Sequence, residues 1–305
     1  MRRKFTIVIA VVVVLAGGAF LFVRLENANR AASNTTGGGI KIVAAEGFYG
    51  NIAQQLGGDK VSVTSILSNP NVDPHEYESN VQDAIAIANA DIVIENGLSY
   101  DTWMDKLIEA SPDAERIVIV AGDVAPDVLM DNPHIWYGID NASAIADTIV
   151  NTLIKKDPVD EQLFRQNLVA FNNSLAPIAA KLVDMREQYG GTAIGLTETV
   201  YLYQTEPMRL GVLTPFSFER AIAEGNDPSA QDVNTANKQI AEKKISVLIY
   251  NSQTVTPITT NLVNAARAQG IPVVSVTETM PAGTTYQQWI TDELSALESA
   301  LAQNQ

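Results

Sequence analysis

Cysteine is absent from this chain of 305 residues, and histidine occurs only twice. Without cysteine, the chain can form neither a disulfide framework nor a thiolate zinc site, and no lipid can be attached through a cysteine. Positive charge is also scarce, because 20 Lys and Arg residues stand against 35 Asp and Glu residues, for a net charge of -15. Such a surface repels phosphate backbones, which argues against nucleic-acid binding. The acidic excess raises the local concentration of cations, although it also serves ordinary solubility.

Long uncharged apolar runs are rare in the sequence, and one stands near its start. Residues 5–23 carry no charge and directly follow Arg2, Arg3 and Lys4. As a helix this run would be about 28 Å long, close to the thickness of a bilayer core. Positive residues before the run predict that the rest of the chain is exported. We interpret residues 1–39 as a membrane anchor followed by a flexible tether, with a cleaved signal peptide as the alternative.

The rest of the chain alternates between apolar runs typical of strands and patterns typical of helices. Strands are predicted at residues 40–45, 61–67, 91–95, 116–121, 192–198, 245–250 and 271–277. Helices are predicted at residues 48–56, 81–90, 100–110, 142–155, 216–224, 230–243, 257–269 and 286–301. This alternation predicts an α/β fold with mainly parallel sheets that are covered by helices.

A long helical pattern separates the two halves of the alternation. It runs over residues 158–189, with Asp157 as the expected N-cap and glycine at positions 190 and 191 to end it. Its apolar face is formed by Phe164, Leu168, Phe171, Leu175, Ile178, Leu182 and Met185. We therefore predict two α/β lobes, residues 40–156 and 191–305, joined by one long helix at 157–190. Pro177 should kink this helix, and a pair of helices broken at Pro177 is the alternative.

Both histidines follow a proline in an otherwise similar context. His75 ends the sequence Asp-Pro-His, and His134 ends the sequence Asn-Pro-His. Proline restricts its own backbone and that of the preceding residue, so each imidazole should be held on a rigid loop. Both loops follow predicted strands, and parallel sheets bind ligands at the carboxyl ends of their strands. The two histidines are therefore candidate ligands of one divalent metal ion, although two unrelated loop histidines would give the same pattern.

Two glutamates occupy corresponding positions in the second half. Glu198 and Glu278 each stand in the sequence Thr-Glu-Thr, directly after a predicted strand. An acid after a strand often caps a helix or faces water, so each of them alone is weak evidence. Two neutral imidazoles and two carboxylates, however, would balance a divalent cation, and mixed nitrogen and oxygen ligands suit Zn²⁺ or Mn²⁺ better than Ca²⁺ or Mg²⁺. Four protein ligands would hold the ion without an open position for catalysis.

These features together resemble the metal-binding solute receptors of ABC importers for zinc and manganese. The resemblance covers residues 40–301 and is carried mainly by the two Pro-His loops, the exported N-terminus and the long middle helix. It implies a metal site between two lobes, with His75 and His134 as ligands from the first lobe and Glu198 and Glu278 from the second. The family usually has Asp where this chain has Glu278. It further implies an ABC permease as the partner, a position at the outer face of the cytoplasmic membrane, and no enzymatic activity.

Other functions remain open at this stage. A hydrolase would use three protein ligands and a metal-bound water, although the sequence contains no His-Glu-x-x-His run. A surface adhesin would need its metal only for folding. A receptor for an organic or chelated ligand would have a large apolar cleft. The residues themselves do not rank zinc against manganese.

Overall fold

The computed structural model describes residues 39–69 and 77–303. The predicted anchor and the loop that contains His75 lie outside these residues. Residues from Ile40 onward form one compact unit. Among the helices of the described ranges, none combines the length and the apolar character that crossing a membrane requires.

The first half of the unit contains a sheet of four parallel strands in the order β2-β1-β3-β4. Its strands are β1 (Ile40–Glu46), β2 (Val61–Leu67), β3 (Ile92–Glu95) and β4 (Ile117–Val120). Its helices are α1 (Gly47–Gly57), α2 (Val81–Ala88), α3 (Thr102–Ala110), the short α4 (Ala121–Val124) and α5 (Ile139–Lys156). The inner strands β1 and β3 are almost wholly buried because helices cover both faces of the sheet, as is usual for parallel sheets. The edge strand β2 instead contains Ser62, Thr64 and Ser65.

The second half repeats this plan with the strand order β6-β5-β7-β8. Its strands are β5 (Ala193–Leu196), β6 (Gly211–Val212), β7 (Leu248–Asn251) and β8 (Val273–Val276). All neighbours in it are parallel. Its helices are α7 (Leu202–Thr205), α8 (Phe216–Ala223), α9 (Ala230–Ala241), α10 (Pro257–Ala268) and α11 (Tyr286–Ala302), where α6 denotes the helix between the halves. The predicted two-lobed α/β fold is therefore confirmed.

The halves are joined by α6 (Glu161–Tyr189), which follows a short 3₁₀ turn at Pro158–Asp160. The helix continues through Pro177, so the alternative of two separate helices is wrong. Six of the seven predicted apolar positions are buried, and Leu168 is partly buried. Asp157 caps the 3₁₀ turn by accepting a hydrogen bond from the amide of Val159, and α6 ends at Gly190. Proline costs the helix one hydrogen bond and some strain, which the buried apolar face offsets.

The last helix, α11, adds a second connection between the halves. The hydroxyl of Tyr286 donates to the carbonyl oxygen of Trp136 at 2.6 Å, and its amide donates to Asn51 at 3.0 Å. Gln287 also exchanges hydrogen bonds with Gln55 on α1. A helix at the end of the second half is thus fixed to the first sheet's helices and to the loop that carries His134.

In both sheets the strand order reverses at the same place. In each sheet the first and third strands are neighbours, and the chain leaves them towards opposite edges. Ligands of open parallel sheets bind outside the carboxyl ends of the strands at such a switch point. In the second sheet these ends are Leu196, which precedes Glu198, and Asn251.

Candidate metal site

His134 lies in a fully buried position after α4, at the start of the 3₁₀ turn Ile135–Tyr137. Its Nδ1 atom is 2.7 Å from the side-chain oxygen of Asn132, which also accepts the backbone amide of His134 at 3.1 Å. An amide oxygen can only accept, so Nδ1 carries a proton, and in the neutral imidazole the lone pair is then on Nε2. Nε2 has no hydrogen-bond partner within the described ranges. This is the form in which an imidazole binds a metal.

Asn132 is itself held by the second half of the chain. Its side-chain nitrogen donates to the carbonyl oxygen of Thr199 at 2.9 Å, and its carbonyl oxygen accepts the hydroxyl of Tyr203 at 3.1 Å. From the first half, the side chain of Asn96 donates to the carbonyl oxygen of Pro133 at 3.0 Å. The Asn-Pro-His loop is therefore fixed from both halves, as its sequence predicts for a rigid loop.

Glu278 lies beside His134. The distance from its Oε2 atom to Nε2 of His134 is 3.6 Å, and both side chains are fully buried. Tyr100 donates to Oε2 at 2.9 Å, and Asn251 donates to Oε1 at 2.6 Å. Gln253 accepts the backbone amide of Glu278 at 2.6 Å. Glu278 thus joins the histidine from the first half to the switch point of the second sheet.

Glu198 is the second buried acid of this cluster, with only 1% of its surface exposed. Neither of its carboxylate oxygens accepts a well-formed hydrogen bond from a described residue, although the side chains of Asn251 and Thr254 lie near them. Burial, followed by repulsion from Glu278, raises the pKa of Glu198 well above its usual value, and the polar side chains of Asn251 and Thr254 partly oppose this rise. An unsatisfied acid next to a second acid is unfavourable, and a bound cation would remove the penalty.

The structure places Glu278 beside His134 and Glu198 close enough to Glu278 for the two acids to repel each other, while His75 lies outside the described residues. Within residues 39–69 and 77–303, no three His, Asp or Glu side chains are arranged so that they could hold a metal ion by themselves. After the gap that contains His75, the described chain resumes at Tyr77, whose hydroxyl donates to Asp83 on α2 at 2.7 Å. The complete ligand set remains a prediction.

A strained loop brings Tyr100 to the cluster. Gly97, Leu98 and Ser99 all have positive φ angles, of 71°, 54° and 65°. Asp101 holds the loop in this shape, because its carboxylate accepts the amides of Asn96 at 2.6 Å and Gly97 at 2.8 Å. Non-glycine residues at positive φ store strain, which is common at functional sites. No motif in the sequence predicted this loop, although its position directly after β3 was a usable signal.

A cavity of about 680 Å³ lies next to His134 and between residues of the two halves. His134, Tyr100 and Thr199 line it together with residues 128–133. Asp131 and Arg220 also line it and form an ion pair across the halves, with 2.9 Å between the carboxylate and guanidinium atoms. This cavity therefore lies between the buried His134 and the exposed pair of Asp131 and Arg220.

The sequence analysis also missed the polar residues that orient the predicted ligands: Tyr100, Asn132, Asn251 and Gln253. Asn132 is part of the Asn-Pro-His loop, and Asn251 ends the strand next to the one that precedes Glu198. Position therefore provided a signal for both. Gln253 had none, because its role depends on a loop conformation in which it accepts the amides of Glu278 and Thr279.

Comparison with known proteins gives a consistent result at three levels. The model of the ZnuA family, described as the periplasmic component A of zinc-uptake complexes, matches residues 42–300. The metal ABC transporter substrate-binding lipoprotein FimA of Streptococcus parasanguinis is 27% identical over 192 residues, which are 59% of this chain and 60% of FimA. The manganese-binding lipoprotein MntA of Halalkalibacterium halodurans is 28% identical over 174 residues, 56% of this chain and 55% of MntA. The chain thus spans little more than half the length of these relatives.

Solved structures share the fold. The periplasmic zinc-binding protein TroA of Treponema pallidum superposes with a TM-score of 0.73 at 21% identity, over 87% of this chain and 99% of TroA. The binding protein FpvC of Pseudomonas aeruginosa in complex with Mn²⁺ superposes with a TM-score of 0.72 at 19% identity, over 88% of this chain and all of FpvC. At these identities the likeness supports the architecture alone.

Proposed function

Since the chain belongs to the ZnuA family, the periplasmic component A of zinc-uptake complexes, we propose that it is an extracytoplasmic receptor that binds a divalent metal ion and delivers it to an ABC transporter permease. The ion is cargo, and no bond is made or broken at the site. The metal is zinc or manganese, because one or two imidazoles combined with carboxylates form a ligand set that suits both. The names of the relatives include both metals.

The observation that carries this proposal is the buried cluster of unsatisfied metal-ligating atoms. Nε2 of His134 and both oxygens of Glu198 are buried without hydrogen-bond partners in the described chain, and Glu278 lies 3.6 Å from His134. Proteins rarely leave such groups unsatisfied, since each costs about 1–3 kcal/mol. A divalent cation would satisfy these atoms if a further ligand outside the described residues completed the set. We propose His75 as the fourth ligand, on the sequence evidence alone.

The position at the membrane is also a proposal. The relatives are named lipoproteins, whereas these 305 residues contain no cysteine that could carry a lipid. We propose that the apolar run at residues 5–23 takes over the anchoring role and holds the receptor at the outer face of the cytoplasmic membrane, close to its permease. Protease protection in sealed vesicles, compared with a chain that lacks residues 1–38, would test this.

Metal titration tests the binding function directly. The full-length chain is titrated with Zn²⁺ and with Mn²⁺, alongside His75→Ala, His134→Ala and Glu198→Gln. Each substitution removes a proposed ligand, so each should weaken binding by at least about tenfold, the loss typical even of groups that only support a ligand. Asp147→Asn, an exposed acid on α5, is the control. Unchanged affinity in both histidine variants would refute the site.

A further inference from the structure

Glu293 closes a ring of hydrogen bonds between the loop of His134 and the loop of Glu278. It lies on α11 and is buried. Its Oε1 atom accepts the backbone amide of Thr277 at 3.0 Å and the indole of Trp289 at 2.8 Å. Its Oε2 atom lies 2.7 Å from the hydroxyl of Tyr137. That hydroxyl also lies 2.6 Å from the carbonyl oxygen of Thr277, which completes the ring. Both backbone polar groups of Thr277 are thereby engaged.

The ring connects two candidate metal ligands along short paths of chain. Thr277 directly precedes Glu278, and Tyr137 ends the 3₁₀ turn that begins after His134. The backbone of this turn is also held, because Gln204 donates to the carbonyl oxygen of Tyr137 at 2.5 Å. A shift of Glu293 would therefore move the backbone on both sides of the site.

The number of hydrogens that the ring requires indicates whether Glu293 is protonated. The Tyr137 hydroxyl carries one hydrogen but has two acceptors at 2.6 and 2.7 Å, both short distances for a hydrogen bond between oxygens. A carbonyl oxygen cannot donate, so the contact with Thr277 is a hydrogen bond only when Tyr137 gives its hydrogen to that oxygen. The contact with Oε2 is then a hydrogen bond only if Glu293 is protonated and donates to the tyrosine oxygen. If Glu293 were ionised, the single hydrogen of Tyr137 could serve only one of its two neighbours. The tyrosine oxygen would then contact the other acceptor oxygen with no hydrogen between them.

We propose that Glu293 is a positioning residue for the metal site and that it acts as a neutral carboxylic acid, which ties the His134 loop to the Glu278 loop. The proposal rests on the proposed function, since it takes these two residues to be metal ligands. Groups that orient metal ligands typically contribute 10–100-fold to metal affinity. Glu293 would do so for a ligand from each half of the chain.

The surroundings of Glu293 favour its neutral form. The groups that face it are the hydroxyls of Tyr137 and Tyr201 and the indole of Trp289, and Glu278 is the next charged group beyond Thr277. None of these is a cation. Burial raises the pKa of Glu293 to about 7, and the donors on Trp289 and on the amide of Thr277 limit the rise. Glu293 is therefore mostly protonated below neutral pH, as the bond count requires.

Two substitutions at position 293 test whether Glu293 connects the two loops as a neutral acid or as a charged carboxylate. Glu293→Gln keeps the size of the side chain and can both accept from Thr277 and donate to Tyr137, so affinity for Zn²⁺ and Mn²⁺ should stay within about threefold of the original chain. Glu293→Ala removes the ring and should weaken binding by about 10–100-fold. Asp292→Ala, an exposed neighbour on α11, is the matched control. Tyr137→Phe removes only the hydroxyl and replaces the alanine variant should that one fail to fold.

The pH profile provides a readout that mere loss of packing would not change. Affinities of the full-length chain and of Glu293→Gln are compared below and above the pKa of Glu293. Their ratio cancels the protonation of the histidines, which both proteins share. Binding to the original chain should weaken relative to the glutamine variant as the pH rises, because only the original chain can ionise at this position. In the metal-free protein, the infrared absorption of protonated carboxylic acids should lose the component of one acid with the same substitution.

Each outcome has a separate meaning. If the glutamine and alanine variants are both folded and bind metal equally poorly, Glu293 acts as a charged carboxylate. This result would overturn the proposal that Glu293 acts as a neutral acid. An alanine variant with unchanged affinity would overturn the positioning role. If the original chain binds neither metal, the proposed function fails, and the infrared measurement alone then decides whether Glu293 is protonated.

Discussion

Nδ1 of His134 lies 2.7 Å from the side-chain oxygen of Asn132, two residues before it. This contact fixes the imidazole in the form that leaves Nε2 available to the metal. Asn132→Ala should therefore weaken Zn²⁺ and Mn²⁺ binding by about 10–100-fold, although Asn132 itself is no ligand. Isothermal titration of the full-length chain measures the change.

Asn226→Ala is the control for this substitution, because Asn226 is exposed and lies between α8 and α9. It should bind metal as the original chain does. Equal affinity of the Asn132 variant and the original chain would mean that the hydrogen bond does not orient the histidine, and the assignment of Nε2 as the metal ligand would lose its main support.

The sequence predicted the fold well because the fold depends on local patterns. Strands buried on both faces are short and almost wholly apolar, and the helices between them have clear starts and ends, as with the threonine cap of α10 before Pro257. The exceptions are short elements, namely α4, α7 and β6. Strand β6 (Gly211–Val212) has only two residues and no apolar run of its own. It belongs to the sheet through its pairing with β5, which no local pattern reveals.

The site could be predicted only in part, for a physical reason. His134, Glu198 and Glu278 come after strands, so topology places each of them towards the carboxyl edge of its own sheet. The groups that orient them, such as Tyr100 and Glu293, come from a strained loop and from the last helix. Their contacts depend on how the two halves pack, and no spacing in the sequence encodes that packing. His75 stays a prediction.

The ion pair at the rim of the cavity should control how fast cations enter. Arg220 pairs with Asp131 at 2.9 Å and with Glu224 at 3.4 Å, and all three are largely exposed. Arg220→Ala leaves two carboxylates uncompensated, so the association rate of Mn²⁺ should increase by a few-fold at low salt and by less at high salt. The free energy of unfolding should change by less than about 1 kcal/mol, as for other exposed pairs.

Stopped-flow mixing at several salt concentrations measures this rate. Lys238→Ala, which also removes an exposed cation from an ion pair but lies on α9, is the control and should leave the rate nearly unchanged. An unchanged or slower rate in the Arg220 variant would mean that cations do not enter past this pair.

The connection between α11 and the His134 loop should contribute to global stability. The hydroxyl of Tyr286 donates to the buried carbonyl of Trp136 at 2.6 Å. Tyr286→Phe leaves this carbonyl without that donor, so the free energy of unfolding should fall by about 1–3 kcal/mol. Urea denaturation measures the loss, with Tyr250→Phe on β7 as a half-buried control. A loss equal to that of the control would mean that α11 is held by apolar packing alone.

Glu198 should destabilise the metal-free protein as the pH rises. Burial and then repulsion from Glu278 raise its pKa well above 4.5, so the folded chain binds the proton more tightly than the unfolded chain does. The favourable contribution of this proton to folding is complete below the unfolded pKa and is lost as the pH rises through the folded pKa. With excess chelator at neutral pH, Glu198→Gln should therefore be more stable than the original chain, by about 1–3 kcal/mol if the penalty is that of one unsatisfied buried group.

Added metal should reverse this order. The original chain gains stability by binding the ion, about 2.7 kcal/mol at a hundredfold excess over Kd, whereas the glutamine variant binds weakly and gains less. Thermal melts of both proteins, with chelator and with Zn²⁺ or Mn²⁺, over a range of pH test both parts. The reversal is the informative result, because a purely structural acid would make the variant less stable under every condition. A variant that is less stable than the original chain in chelator would show that Glu198 is satisfied without metal, and the buried acids would then be no evidence for a cation site.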